Sequence, residues 1–238
     1  MDKSGSFRVY MAITTKMAED ARLIHETSPL ATHLLGRALT GTGLMGLMLR
    51  EPGFKVTLQF KGDGPAQQVL CTASSDGAVK GYIVNPNVDL PVRSDGSPDV
   101  GGALGIGTIT CIRDTGMKEP YVGRIDLVSG EIADDMTAYF FISEQQQTSV
   151  SLGVKLSEDG AVEAAGGLII QMLPDAGEEA VQALENWLPK MPKITELVSQ
   201  VMENAGAKSV GTLMKELIGE AFSGLPEEFE VSPMDLLD

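Results

Sequence analysis

The chain has 238 residues, 43% of them hydrophobic, and carries a formal charge of −15 with a pI near 4.5. That apolar content is enough for a proper core, and the negative charge repels phosphate backbones, which argues against general nucleic-acid binding. No apolar run approaches the roughly 18 residues of a membrane helix, and Met1-Asp2-Lys3-Ser4 leads into no signal-peptide core, so the expected location is cytoplasmic, away from membranes. The only cysteines, Cys71 and Cys111, have neither C-x-C nor C-x-x-C spacing; neither a disulfide scaffold nor a zinc knuckle is encoded, and both are expected to be reduced and structural.

In chain order, Phe7, Val9, Met11 and Ile13 alternate as in a half-buried strand, and Ala18 to Thr27 reads as a short helix. Ser28 and Pro29 supply an N-cap and an N1 proline for a second helix reaching about Leu49. Gly36, Gly41, Gly43 and Gly46 inside it each cost about 1 kcal/mol, which implies tight packing against another element. From Phe54 the period falls to two, and the strands Phe54 to Lys61, Gln67 to Ala73 and Val79 to Val84 are expected to form an antiparallel meander with Asp76-Gly77 at one turn.

Leu90 to Gly102 reads as a surface loop, followed by strands at Gly107 to Arg113 and Tyr121 to Val128 and a helix from Ser129 through Ser143. Ser149 to Leu156 and Ala161 to Leu173 repeat a strand, Asp-Gly turn, strand design. The small residues Ala164, Ala165, Gly166 and Gly167 allow close backbone approach, and Leu168 to Leu173 suits a strand buried on both faces. Pro174 ends it, and Asp175 with Glu178 predicts that a helix starts at once.

The chain therefore reads as α+β, a largely antiparallel sheet core with packed helices over 1–174 and a helical linker over 175–238. The latter holds thirteen carboxylates against four lysines, so −9 of the −15 lies there. Three amphipathic helices are predicted in it. Their apolar positions include Leu184, Trp187 and Leu188; Ile194, Leu197, Val198, Val201 and Met202; and Leu213, Met214, Leu217 and Ile218. Short helices broken by Gly and Pro depend on packing rather than propensity, so this arm should be less stable than the sheet core.

Catalytic chemistry finds little support. His25 and His33 have no Cys, Asp or Glu at ligand spacing. Gly101 to Gly107 lacks both the G-x-G-x-x-G order and the Walker lysine, and reads as a flexible loop entering a strand. Ser74-Ser75-Asp76-Gly77 is a turn rather than a nucleophile elbow. Glu131, Asp134 and Asp135 suit a helix start better than a cation. No catalytic residue, metal ligand or cofactor is assigned.

Phe60-Lys61-Gly62-Asp63-Gly64-Pro65, Gly81 to Pro86, Gly123 to Glu131, Ser143-Glu144-Gln145 and Ala164 to Pro174 stand together in an order that resembles the thirty-three-kilodalton heat shock protein family, the redox-regulated holdase chaperones. The resemblance implies an α/β core, a helical linker and a C-terminal zinc module with C-x-C and C-x-x-C cysteines. No such module lies in this chain, which ends at Asp238 about where such family members reach the first cysteine pair. It also implies an ATP-independent chaperone that meets oxidative stress by capturing unfolding proteins, often as a homodimer with exchanged elements. The twelve linker residues named above are then the expected client-binding faces. An enzyme of unrecognised type and a structural oligomer subunit are the alternatives.

Overall fold

The computed structural model describes residues 5–49 and 51–204 together with Glu216, Gly219, Glu220, Phe222, Ser223 and Leu225. The elements are β1 (Phe7–Ile13), α1 (Thr15–His25), α2 (Pro29–Leu47), β2 (Lys55–Gly62), β3 (Gln68–Ser74), β4 (Val79–Ile83), α3 (Val100–Leu104), β5 (Gly107–Asp114), β6 (Tyr121–Asp126), α4 (Ala133–Glu144), β7 (Thr148–Leu156), β8 (Val162–Met172), α5 (Glu178–Trp187), a 3-10 turn (Leu188–Lys190) and α6 (Ile194–Asn204). They make an α+β fold with two wholly antiparallel sheets, one ordered β1-β8-β7 and the other β4-β3-β2-β5-β6.

The pivot is α2, which packs against both sheets. Ser28 Oγ caps it by accepting from the Ala31 amide at 3.2 Å, and Pro29 occupies N1 as expected. Fourteen of its nineteen residues are buried, so it is an interior helix rather than a surface helix with one apolar stripe. Its glycines answer to that position: a Cβ at Gly36 would stand 2.8 Å from Val154 Cγ2, and one at Gly46 2.8 Å from the Ala73 Cβ.

On the five-stranded sheet, Val56, Leu58 and Phe60 turn inward and are fully buried, while Lys55, Thr57, Gln59 and Lys61 face out, as strict alternation requires. The meander β2-β3-β4 forms as expected, but β5 returns to the other side of β2. Cys71 on β3 and Cys111 on β5 both pair with Leu58 on β2, from opposite sides. Two strand spacings separate them, roughly 10 Å, which is too far for a disulfide without moving the backbone. Both are free and buried.

Several expectations need correction. The supposed surface loop ending at Gly102 and the flexible Gly101 to Gly107 stretch contain α3, capped by Asp99 Oδ1 accepting from Gly102 at 3.0 Å, with Val100, Ala103 and Leu104 fully buried. A five-residue helix is shorter than the two turns that reveal a helical period. α4 begins at Ala133, not Ser129, because the buried Asp135 carboxylate accepts from the amides of Val128, Ser129, Gly130 and Ile132 at 2.8–3.2 Å and holds the preceding segment in a turn. Glu131 does not serve the start of α4; it accepts from the Gly101 amide in the first turn of α3 at 3.1 Å and pairs with Arg37 at 2.7 Å and with Arg93. Nor does Asp175 cap a helix: α5 starts at Glu178 with Gly177 as N-cap, after a turn closed by Ala176 N–H to the Leu173 carbonyl. α1 starts three residues early, at Thr15, whose Oγ1 accepts from the Ala165 amide of β8 at 3.1 Å.

Candidate functional site

The outer face of the three-stranded sheet is built by register. Antiparallel pairing sets Phe7 opposite Met172, Val9 opposite Ile170 and Met11 opposite Leu168. Side chains alternate along a strand, so these six lie on one face while Tyr10 and Ala12 turn towards α2. Six large apolar side chains on three rungs make a surface that water would strongly disfavour.

The linker helices cover it. Ala180, Leu184 and Trp187 of α5 and Ile194 and Leu197 of α6 are buried in one cluster with that face, joined by Phe222 and Leu225. The Trp187 and Phe222 rings lie 4.3 Å apart, and Phe222 stacks on Phe7 at 6.3 Å, so one aromatic column ties first strand, linker and tail. Glycines set the height of α6. A Cβ at Gly166 would meet Val198 Cγ2 at 2.6 Å, and one at Gly153 would meet Ile194 Cγ2 at 2.7 Å. The neighbouring Gly167 faces the other way, where its Cβ would meet Thr40 Cγ2 at 2.8 Å and Leu44 Cδ1 at 2.9 Å on α2. The two glycines of the Ala-Ala-Gly-Gly stretch thus let helices approach β8 from both faces.

Of the twelve expected site residues, Leu184, Trp187, Ile194, Leu197, Val198 and Val201 are buried, Leu188 is half-buried and Met202 is 45% exposed. Leu213, Met214, Leu217 and Ile218 lie outside the described residues. The sequence reading missed the receiving face, Phe7, Val9, Met11, Leu168, Ile170 and Met172, although its alternation was visible, because period two shows that a strand is half-buried and not what buries it. It also missed Phe222, which falls just past the third stripe.

The attachment is almost purely apolar. Among the described residues no ion pair links α5 or α6 to the sheets, and the one side-chain hydrogen bond is the weak one from Thr15 Oγ1 to Met202 Sδ at 3.2 Å.

The remaining reactive groups are placed for structure. Burial pushes the Cys71 and Cys111 thiols up, which suppresses the thiolate on which cysteine reactivity depends. His25 Nε2 lies 3.0 Å from the Gly81 carbonyl oxygen. His33 is held down to about 4 by burial and by the nearby Arg37, with its Nδ1 buried and unpartnered. Among the described residues no group of three or more His, Cys, Asp or Glu could hold a metal ion, and no helix is long and apolar enough to cross a membrane.

Comparison with known proteins defines the class. The chain is 44% identical over 198 residues to the 33 kDa chaperonin of Acetivibrio thermocellus, covering 83% of this chain and 67% of that one. It is 42% identical over 230 residues to that of Ruminiclostridium cellulolyticum, covering 96% and 75%. The fold matches the crystal structure of a 33 kDa chaperonin (heat shock protein 33 homolog) from Thermotoga maritima with a TM-score of 0.77 and 37% identity, over 88% of this chain and 70% of that one. The molecule is a chaperone and not an enzyme. The model of the Hsp33 protein family matches residues 1–234, and the chain belongs to that family.

Proposed function

We propose that this chain is a holdase that captures unfolding polypeptides, without nucleotide, on the apolar faces of its linker. The observation that carries this reading is the attachment of α5 and α6 by apolar burial with no ion pair among the described residues. In the docked arrangement the faces of Leu184, Trp187, Ile194, Leu197, Val198 and Val201 are spent on the chain's own sheet. Release of the arm frees them together with Phe7, Val9, Met11, Leu168, Ile170 and Met172, and a non-native chain competes for both surfaces. Apolar burial is non-directional, so sequence-tolerant capture follows from the same physics that docks the arm. Met191 and Met202 add soft, adaptable side chains to that surface.

In the family the resemblance describes, zinc-bound cysteines hold the linker until oxidation. This chain's two thiols are buried and roughly two strands apart, so we assign no switch to them and no zinc ligand to these residues. Residues 1–238 are then expected to suppress aggregation whether or not oxidant is present. Light scattering of a heat-unfolding client, with and without peroxide, tests it: equal suppression supports the reading, whereas suppression only after oxidation, or none at all, defeats it. We further propose a cytoplasmic homodimer in which linkers can be exchanged, since a face that accepts its own linker accepts a neighbour's. Light-scattering chromatography returning a monomer at every concentration would remove that part.

A further inference from the structure

We infer that a cavity of about 360 Å³ between β1, the end of α2 and the start of the linker binds a small carboxylate with a short apolar body. One side of it is polar. Arg8 and Tyr10 of β1, Gln171 of β8 and Gln146 after α4 reach it, and so do Arg113 and Glu144. Met45, Met48 and Leu173 are among the apolar residues that also line it.

Arg113 is already committed: its guanidinium lies 2.5 Å from a Glu144 carboxylate oxygen. Arg8 is not. Among the described residues it pairs with no carboxylate, in a molecule with a large excess of them, and the side chains of Tyr10, Gln146 and Gln171 make no hydrogen bond to protein. Gln171 is only 7% exposed. These donors reach the hollow without a protein partner, and an occupant that supplies acceptor oxygens would satisfy several of them at once. A carboxylate matches the guanidinium fork in charge and geometry. With the Arg113–Glu144 pair cancelling internally, Arg8 leaves one positive charge, which suits a monoanion. Water alone would satisfy the donors but not the methionine and leucine side chains, against which a short alkyl body removes apolar area from contact with water. The volume lies at the small end of the range for ligand sites, matching a molecule of a few heavy atoms.

The test is a nitrogen–proton NMR titration of the full chain with hexanoate, with hexanamide as the uncharged analogue and inorganic phosphate as an anion without an apolar body. Saturable shifts are expected in the Arg8 Nε–H and the carboxamides of Gln146 and Gln171. Hexanamide and phosphate should each bind at least about 10-fold more weakly than hexanoate, and R8Q should weaken hexanoate by about 10-fold or more, as loss of one charge-assisted pair implies. If R8Q does not fold, Q146A, at a half-buried position, should still weaken hexanoate several-fold. Absence of saturable shifts, equal binding of hexanamide, tighter binding of phosphate, or unchanged affinity in the folded variant would each overturn the assignment. The readout is binding itself, so it stands apart from any aggregation assay.

Discussion

At the scale of single residues, His33 gives the molecule an acid-sensitive point. Its side chain stands on α2 one turn before Arg37 with Nδ1 buried and unpartnered, and burial and the Arg37 charge lower its pKa from 6.5 to about 4. The folded protein therefore keeps it neutral while the unfolded chain takes up a proton below about 6.5. Between those two values the unfolded state binds more protons, so this contribution is complete above about 6.5 and is lost as pH falls towards 4. At pH 4.5 the loss is about 2 kcal/mol, since each tenfold difference in proton affinity between the two states is worth roughly 1.4 kcal/mol. Urea unfolding at pH 7 and 4.5 checks it: the wild type should lose about 2 kcal/mol more than H33Q over that interval. An equal loss in both proteins would assign the acid sensitivity elsewhere.

At the scale of elements, the docked arm is as strong as its anchors. Trp187 is 8% exposed and its ring meets Phe222, which in turn meets Phe7. Truncating a buried aromatic of this kind costs about 3–5 kcal/mol. Short helices have little intrinsic stability to set against that, so the loss should fall on the arm rather than on the ladders of β8. W187A should then accelerate amide exchange in α5 and α6, leave β8 and α2 protected, and capture clients at a lower temperature than the wild type. Uniform acceleration across β8 would show that arm and sheet unfold as one unit. The stripes on α5 and α6 were legible in the sequence because each spans two or more turns, and so was the alternation that makes β1 and β2 strands. The start of α4 was not legible, because it depends on one carboxylate, Asp135, gathering four amides, and α3 escaped because five residues show no period. The docking face escaped for a different reason. Phe7, Val9 and Met11 announce one greasy side of a strand, but only the tertiary arrangement decides that a linker, rather than α2, lies against it.

At the scale of the whole molecule, charge works against the docked state. Residues 175–238 carry −9 and the rest of the chain −6, so arm and body repel one another, and no ion pair of α5 or α6 to the sheets offsets this among the described residues. The apolar contacts of Leu184, Trp187 and Leu197 must outweigh that repulsion. Salt acts on the two terms with the same sign. The Debye length falls from about 30 Å at 0.01 M to about 10 Å at 0.1 M, which screens the repulsion between exposed carboxylates across the arm, while apolar burial is little affected by simple salt and strengthened by sulfate. Raising sodium chloride from about 0.01 to about 0.15 M should therefore tighten the arm, slow exchange of the α5 and α6 amides and reduce client capture at a fixed temperature, with sodium sulfate acting more strongly. A linker held by ion pairs would respond in the opposite direction, opening as salt rises. Exchange that speeds up in salt would thus replace the apolar, self-repelling arm with a salt-bridged one, and with it the account of how this chaperone exposes its binding surface.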